Sequence, residues 1–305
     1  CPISQTGVQY LAIFYRQTPV YWLSIFLKGL LMSADDARAA VWSITSGKGG
    51  VGKTTLSLNL GIALAKQGLQ VLLMDADLGL ANVDILLGVS PDKTVQDLLS
   101  GEASALDVVV EGPEGLSVLP AASGMAEHDA WQIEDRHRLA EELGRLERGY
   151  DLILIDTGAG ISAKVTDFVL ASDRMFVVAV PEPTSIADAY AMVKVCQQDA
   201  PAPQMGLIVN RARSPREAFA LHQKFDQIVD RFLGTHIDRS GYVLEDIAVE
   251  QASRSQHPVF VSHPHSAASR CIEQLAKDLS GGLETLKTGG PGLFEKLMNR
   301  IAAEI

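Results

Sequence analysis

The chain has 305 residues, 47% of them apolar, and carries a formal net charge of −11. That is enough apolar chain for one large α/β domain with a substantial core. So acidic a protein lacks the cationic surface that drives non-specific nucleic-acid binding, so no direct nucleic-acid partner is expected despite a local group of Arg211, Arg213 and Arg216.

Residues 1–31 are rich in aromatics, hold no acidic residue and are interrupted by Arg16 and Lys28. No stretch there approaches the ~20 apolar residues a membrane span needs. No secretory signal is read there, and a cytoplasmic location is expected. The first residue is Cys and the first methionine is Met32. We expect Met32 to be the native start and residues 1–31 a non-native or disordered extension. A mature chain found by N-terminal sequencing to begin earlier refutes that reading.

A short β-rich run, Val41 to Thr45, then leads into Gly47-Lys48-Gly49-Gly50-Val51-Gly52-Lys53-Thr54-Thr55. This fills the G-x-x-x-x-G-K-[ST] pattern of a phosphate-binding loop. Glycines let successive backbone N–H groups turn inward as an anion cradle. Lys53 is placed to reach the β- and γ-phosphates, and the Thr54 hydroxyl to ligate Mg²⁺. An apolar helical pattern follows from Thr54 to Lys66, closed by Gly68, which aims a helix N-terminus at the phosphates. Lys48 is the unusual residue. So early in the loop it does not fold back easily onto its own γ-phosphate, and it is positioned for a neighbour's.

The next strand, Val71 to Met74, ends at Asp75-Ala76-Asp77, where alternation puts both carboxylates on one side for Mg²⁺ or an attacking water. Leu116 to Leu119 reads as a further strand. Leu152 to Ile155 ends at Asp156-Thr157-Gly158, a Walker B shape with an Asp for Mg²⁺ and a glycine-bearing switch. Met175 to Val180 and Gly206 to Asn210 complete the predicted strands. Strands alternating with helices predict a doubly wound, mostly parallel P-loop sheet covered on both faces. Cys196 and Cys271 lie in apolar helical stretches without metal spacing and read as core thiols.

Glycines at 281, 282, 289, 290 and 292 mark a flexible linker over 281–292, separating a 32–280 P-loop domain from a 293–305 helix. In that helix Phe294, Leu297, Met298, Ile301 and Ile305 fall within an arc of about 100°. Such a face either docks on its own domain or lies in a membrane interface. We expect the second, with marginal single-copy affinity multiplied when a dimer presents two copies.

Three segments, Lys48 to Thr55, Asp75-Ala76-Asp77 and Asp156, resemble the MinD/ParA group of deviant-Walker P-loop ATPases. Within it, Asp75 to Asp84, Pro120 to Gly124, and Glu182-Pro183-Thr184-Ser185-Ile186 with Asp188-Ala189-Tyr190 resemble the FlhG (FleN) family of flagellar-number regulators. The resemblance spans about Val41 to Leu279. It implies a slow, switch-type ATP hydrolase that forms a homodimer with ATP. Lys48 would cross to the partner's phosphates, Lys53 and Thr54 bind phosphate and Mg²⁺, and Asp77 orient the attacking water. Asp75 and Asp156 would support the metal, and Asn210 would read adenine. The run Asn210-Arg211-Ala212-Arg213 lacks the carboxylate that guanine readers usually carry three positions on, which agrees with ATP.

The resemblance further implies a peripheral place at the cytoplasmic face of the inner membrane. Its implied partners are a flagellar GTPase, a basal-body protein or a flagellar transcription activator. A MinD-type division-site ATPase is the alternative, and a non-catalytic ATP-binding scaffold is a third class that Asp77 argues against. Two departures stand out. Asp35-Asp36-Ala37 begins like the family's GTPase-stimulating segment, but Ala40 and Val41 replace its Leu and Arg. Leu244 occupies a loop position where relatives often carry Pro.

Overall fold

A computed structural model of the chain describes residues 38–77, 83–88, 92–120, 144–145, 147–199, 202–283 and 291–303. The expectations for residues 1–31, Asp35 to Ala37, Leu78 to Asn82, Ala121 to Gly124, most of the linker, the Ile301 side chain and Ile305 lie outside the described residues.

In chain order the elements are β1 (Ala40–Ser46), α1 (Lys53–Lys66), β2 (Val71–Ala76), α2 (Val83–Leu87), α3 (Val95–Ser100), β3 (Val110–Glu111), β4 (Ser117–Leu119) and β5 (Leu152–Ala159). Then come α4 (Ala163–Ala171), β6 (Arg174–Ala179), α5 (Pro183–Gln198), β7 (Gln204–Ala212), α6 (Pro215–Leu233) and β8 (Asp238–Leu244). The C-terminal part adds α7 (Ile247–Arg254), α8 (Val259–Ser262), α9 (Ala267–Ser280) and α10 (Leu293–Ala303). Strand order is β3-β4-β2-β5-β1-β6-β7-β8. Every pairing is parallel except β3 with β4, as the βαβ pattern predicts.

Alternation along the central strands divides the core. Trp42, Ile44 and Leu154 face one side, under α1, α7, α8 and α9. Val41, Ile153 and Ile155 face the other, where α4 and α10 pack. Strands β6 and β7 continue that core beneath α5 and α6. Each fully buried Leu, Ile or Phe contributes about 1.5–3 kcal/mol of transfer free energy. With hydrophobic side chains on both faces, β1, β2 and β5 are held firmly, and their C-terminal ends carry the phosphate loop and the two acidic switches.

The amphipathic C-terminal helix is docked on its own domain. Leu293, Phe294, Leu297 and Met298 are buried against the sheet and α4, where the sequence reading expected a lipid-facing surface. An apolar stripe fits either surroundings, and acidic groups beneath α10 add polar contacts to its docked position. Glu147 accepts the Leu293 N–H on both carboxylate oxygens, each at 3.0 Å, and so caps the helix. Lys296 reaches Asp173 at 3.3 Å. Arg300 pairs with Asp167 at 3.0 Å and Asp199 at 2.7 Å. Asp173 is also forked by Arg38, just before β1. Burial opposes ionisation of Asp173, but the Arg38 guanidinium and the Val41 N–H hold its carboxyl below the usual range. Among the described residues, no helix is long and apolar enough to cross a membrane.

Candidate functional site

The phosphate loop turns through two left-handed glycines, Gly50 at φ +79° and Gly52 at φ +88°. Gly52 stands immediately before α1 and lets its first N–H groups point into the loop. Gly47 is required for a different reason. A Cβ there would lie 2.2 Å from the Asp188 carbonyl oxygen, so α5 passes directly over the loop.

Lys53 opens α1 and is 8% exposed. Burial lowers its pKa, while Asp156 and Asp77 pull it back up. Asp156 is fully buried in β5, and burial pushes its carboxyl up to about 7, with the Asp75 charge adding to the shift. The Thr54 and Ser57 hydroxyls and Lys53 act the other way. Ser57 donates to Asp156 Oδ1 at 2.8 Å. Oδ2, equally buried, has no partner of ordinary hydrogen-bond geometry among the described residues. A carboxylate oxygen left short of donors beside a threonine hydroxyl at a phosphate loop fits a hard divalent cation. Thr54 and Asp156 would hold Mg²⁺, which when bound supplies charge neutralisation for the phosphates.

Asp75 pairs in register with Asp156 across β2 and β5. Its Oδ1 accepts the Asp77 N–H at 3.0 Å and its Oδ2 the Val83 N–H at 3.2 Å. Asp75 thus holds the chain at Asp77 and again at Val83, beside the phosphate loop. Asp77 stands just past β2, its Oδ1 near Gly158, where an added Cβ would lie 3.5 Å away. The two acidic switches therefore meet beside the phosphate loop.

Lys48 is oriented away from that pocket. Its ammonium donates to Glu182 Oε2 at 3.0 Å and to Thr184 Oγ1 at 3.2 Å, and its side chain is 40% exposed. Glu182 is the residue before α5. Ser185 secures the same turn by accepting the Val180 N–H at 3.0 Å. The Glu182 to Ile186 run, a marker without a physical role in the sequence, is the seat of Lys48. Local sequence held no signal for this, because the partners lie 134 and 136 positions apart.

Beside Gly52 and Thr55 opens a cavity of about 700 Å³, lined also by Asn210, Arg211, Leu244 and Ile247. That volume is of the size that takes a nucleoside. Asn210 Nδ2 donates to the Val51 carbonyl at 2.7 Å, and its Oδ1 accepts the Arg211 N–H at 3.0 Å. It therefore braces the phosphate loop, with one amide hydrogen left for a ligand. Asp246 accepts the N–H groups of Ala248 at 2.9 Å and Ala268 at 3.1 Å, tying α7 and α9 to the cavity. Phosphate loop, acidic strand ends and adjoining cavity together form a site that suits a nucleoside triphosphate.

Known proteins resemble this chain over most of its length. A family model described as an AAA domain matches residues 39–200. The chain is similar to the antiactivator FleN of Pseudomonas aeruginosa, with 38% identity over 237 residues, 78% of this chain and 85% of that protein. It is 33% identical over 265 residues to the flagellum site-determining protein YlxH of Helicobacter pylori, covering 84% of this chain and 88% of that one. Among solved structures, the septum site-determining protein MinD of Pyrococcus horikoshii, complexed with Mg-ADP, superposes with a TM-score of 0.65 at 28% identity. That match covers 81% of this chain and 98% of the other.

Proposed function

The chain belongs to the MinD/ParA family of P-loop ATPases, and from that premise we propose that it is an ATP-switched regulator of flagellar number or placement. Slow hydrolysis of ATP times the switch. ATP closes a homodimer in which Lys48 of each protomer reaches the other's phosphates, and hydrolysis returns monomers. Lys53 and Thr54 bind the phosphates, Asp77 orients the attacking water, and Asn210 reads adenine. The observation that carries the reading is the contrast inside one loop. Lys53 is buried facing Asp156, while Lys48 is exposed on Glu182 and free to be exchanged to another phosphate.

The flagellar role draws on the likeness to FleN and YlxH. Its partners would be a flagellar GTPase, a basal-body protein or a flagellar transcription activator. The likeness to MinD favours a division-site ATPase as second reading. Docked α10 is the closed state of a helix that binds the inner-membrane surface once the dimer releases it.

Flagellar counts per cell, by electron microscopy of a strain lacking the gene, test the assignment. Altered number or position with normal septa supports it, and unchanged flagella with minicells moves it to the division-site reading. In vitro, Lys48→Ala should bind ATP yet stay monomeric by light scattering; an intact ATP dimer refutes the exchange of lysines.

A further inference from the structure

Strand β7 ends irregularly. Its pairing with β8 slips between Val209 and Ala212, so that Asn210 and Arg211 sit in a bulge. Arg211 adopts φ +54°, a left-handed backbone that costs a long side chain energy and persists only where neighbours impose it. Those neighbours are identifiable. Asn210 Oδ1 takes the Arg211 N–H, Asn210 Nδ2 grips Val51, and the Glu245 N–H donates to the Ala212 carbonyl at 2.9 Å.

This backbone stands Arg211 among the residues that line the base cavity. The Arg211 guanidinium makes no ion pair or hydrogen bond with any described residue, although the cavity contains carboxylates. Two of these are committed elsewhere: Asp246 caps α7 and meets the start of α9, and Glu250 pairs with Arg254. Val243, Leu244, Ile247 and Val249 supply apolar lining. A flat aromatic ring entering this space would meet hydrocarbon, beside a residue that carries a planar, weakly hydrated cation.

We propose that Arg211 is a base-binding residue whose guanidinium stacks on the purine of the bound nucleotide. The ring quadrupole attracts a cation held over its face, and a guanidinium can lie flat where an ammonium cannot. Asn210 then serves the edge of the base and Arg211 its face, and the bulge sets both. The proposal rests on the ATPase reading above.

Calorimetric titration of the full chain with Mg-ATP and with Mg-tripolyphosphate tests it, comparing wild type with Arg211→Gly and Arg211→Lys. Glycine takes the left-handed backbone freely, so Arg211→Gly should melt no lower than wild type. It should nevertheless lose about fivefold to thirtyfold in ATP affinity. Tripolyphosphate, which has no base, should bind within about twofold of wild type. Arg211→Lys keeps the charge without the plane and should recover only part of the loss. An unchanged ATP affinity in Arg211→Gly overturns the stacking role, as do equal losses for both ligands, which would mean the bulge acts through the phosphate loop. Wild type that binds tripolyphosphate as well as ATP also overturns it, whereas wild type that binds neither overturns the ATPase reading itself.

Discussion

Asp156 and Glu147 are both deeply buried carboxylates, and burial raises the pKa of both. At the phosphate end of the sheet, Asp156 keeps one oxygen without a hydrogen bond among the described residues. Under α10, both oxygens of Glu147 accept the same helix N–H, with Arg38 and Lys296 adding favourable charge. The first region stores unmet polar demand and the second has met it. Unmet demand suits a place where a ligand arrives, and met demand suits an element that is meant to stay until something competes for it. The two lysines of the loop repeat the contrast, one buried beside carboxylates and one at the surface with replaceable partners.

Three changes test that contrast. The largest effect is expected at Phe294, fully buried on the inner face of α10. Phe294→Ala should cost about 3–5 kcal/mol of helix docking. Hydrogen exchange would show α10 unprotected with β1 and α1 unchanged; retained protection in α10 means the polar contacts alone hold it. Next, Asp156→Asn should slow turnover by about a hundredfold or more. The same change removes a buried charge short of partners, so the nucleotide-free protein should melt higher; a lower melting point would mean Asp156 is better satisfied than its geometry indicates.

The smallest effect is one of pH. The native Asp156 value of about 7 lies above the ordinary 3.8, so the folded protein holds a proton there that the unfolded chain has released. Its contribution to nucleotide-free stability is complete below the ordinary value and is lost as pH rises through about 7. Mg²⁺ competes with that proton. Mg²⁺-dependent ATP binding should therefore weaken about tenfold from about pH 8 to about pH 6. A flat profile, or the same slope in Asp156→Asn, would detach the titration from this carboxylate.

What could be read from sequence was what is local. The phosphate loop, both acidic switches and the parallel order follow from runs shorter than a dozen residues whose chemistry is self-contained. Strand β8 was hidden because Asp238, Arg239 and Gly241 carry neither alternation nor β-propensity, and its edge position asks for neither. The seat of Lys48 and the Glu147 cap, 134 and 146 positions from their partners, depend on the fold bringing α5 and α10 into place. The α10 stripe was visible, but hydrophobic spacing alone does not distinguish lipid from protein. The charges that hold it on the domain are spread over Asp167, Asp173 and Asp199.

The Arg38–Asp173 fork bears on how the protein can be followed in cells. Arg38 leads directly into β1, and the carboxylate it grips is shared with Lys296 of α10. A fluorescent protein fused just before Arg38 would pull on the same ion cluster that anchors the C-terminal helix, so its apparent localisation would partly report the fusion. The turn after α6 offers a quieter attachment point, since Gly234 has open space around its α-carbon and lies on neither the phosphate loop nor α10.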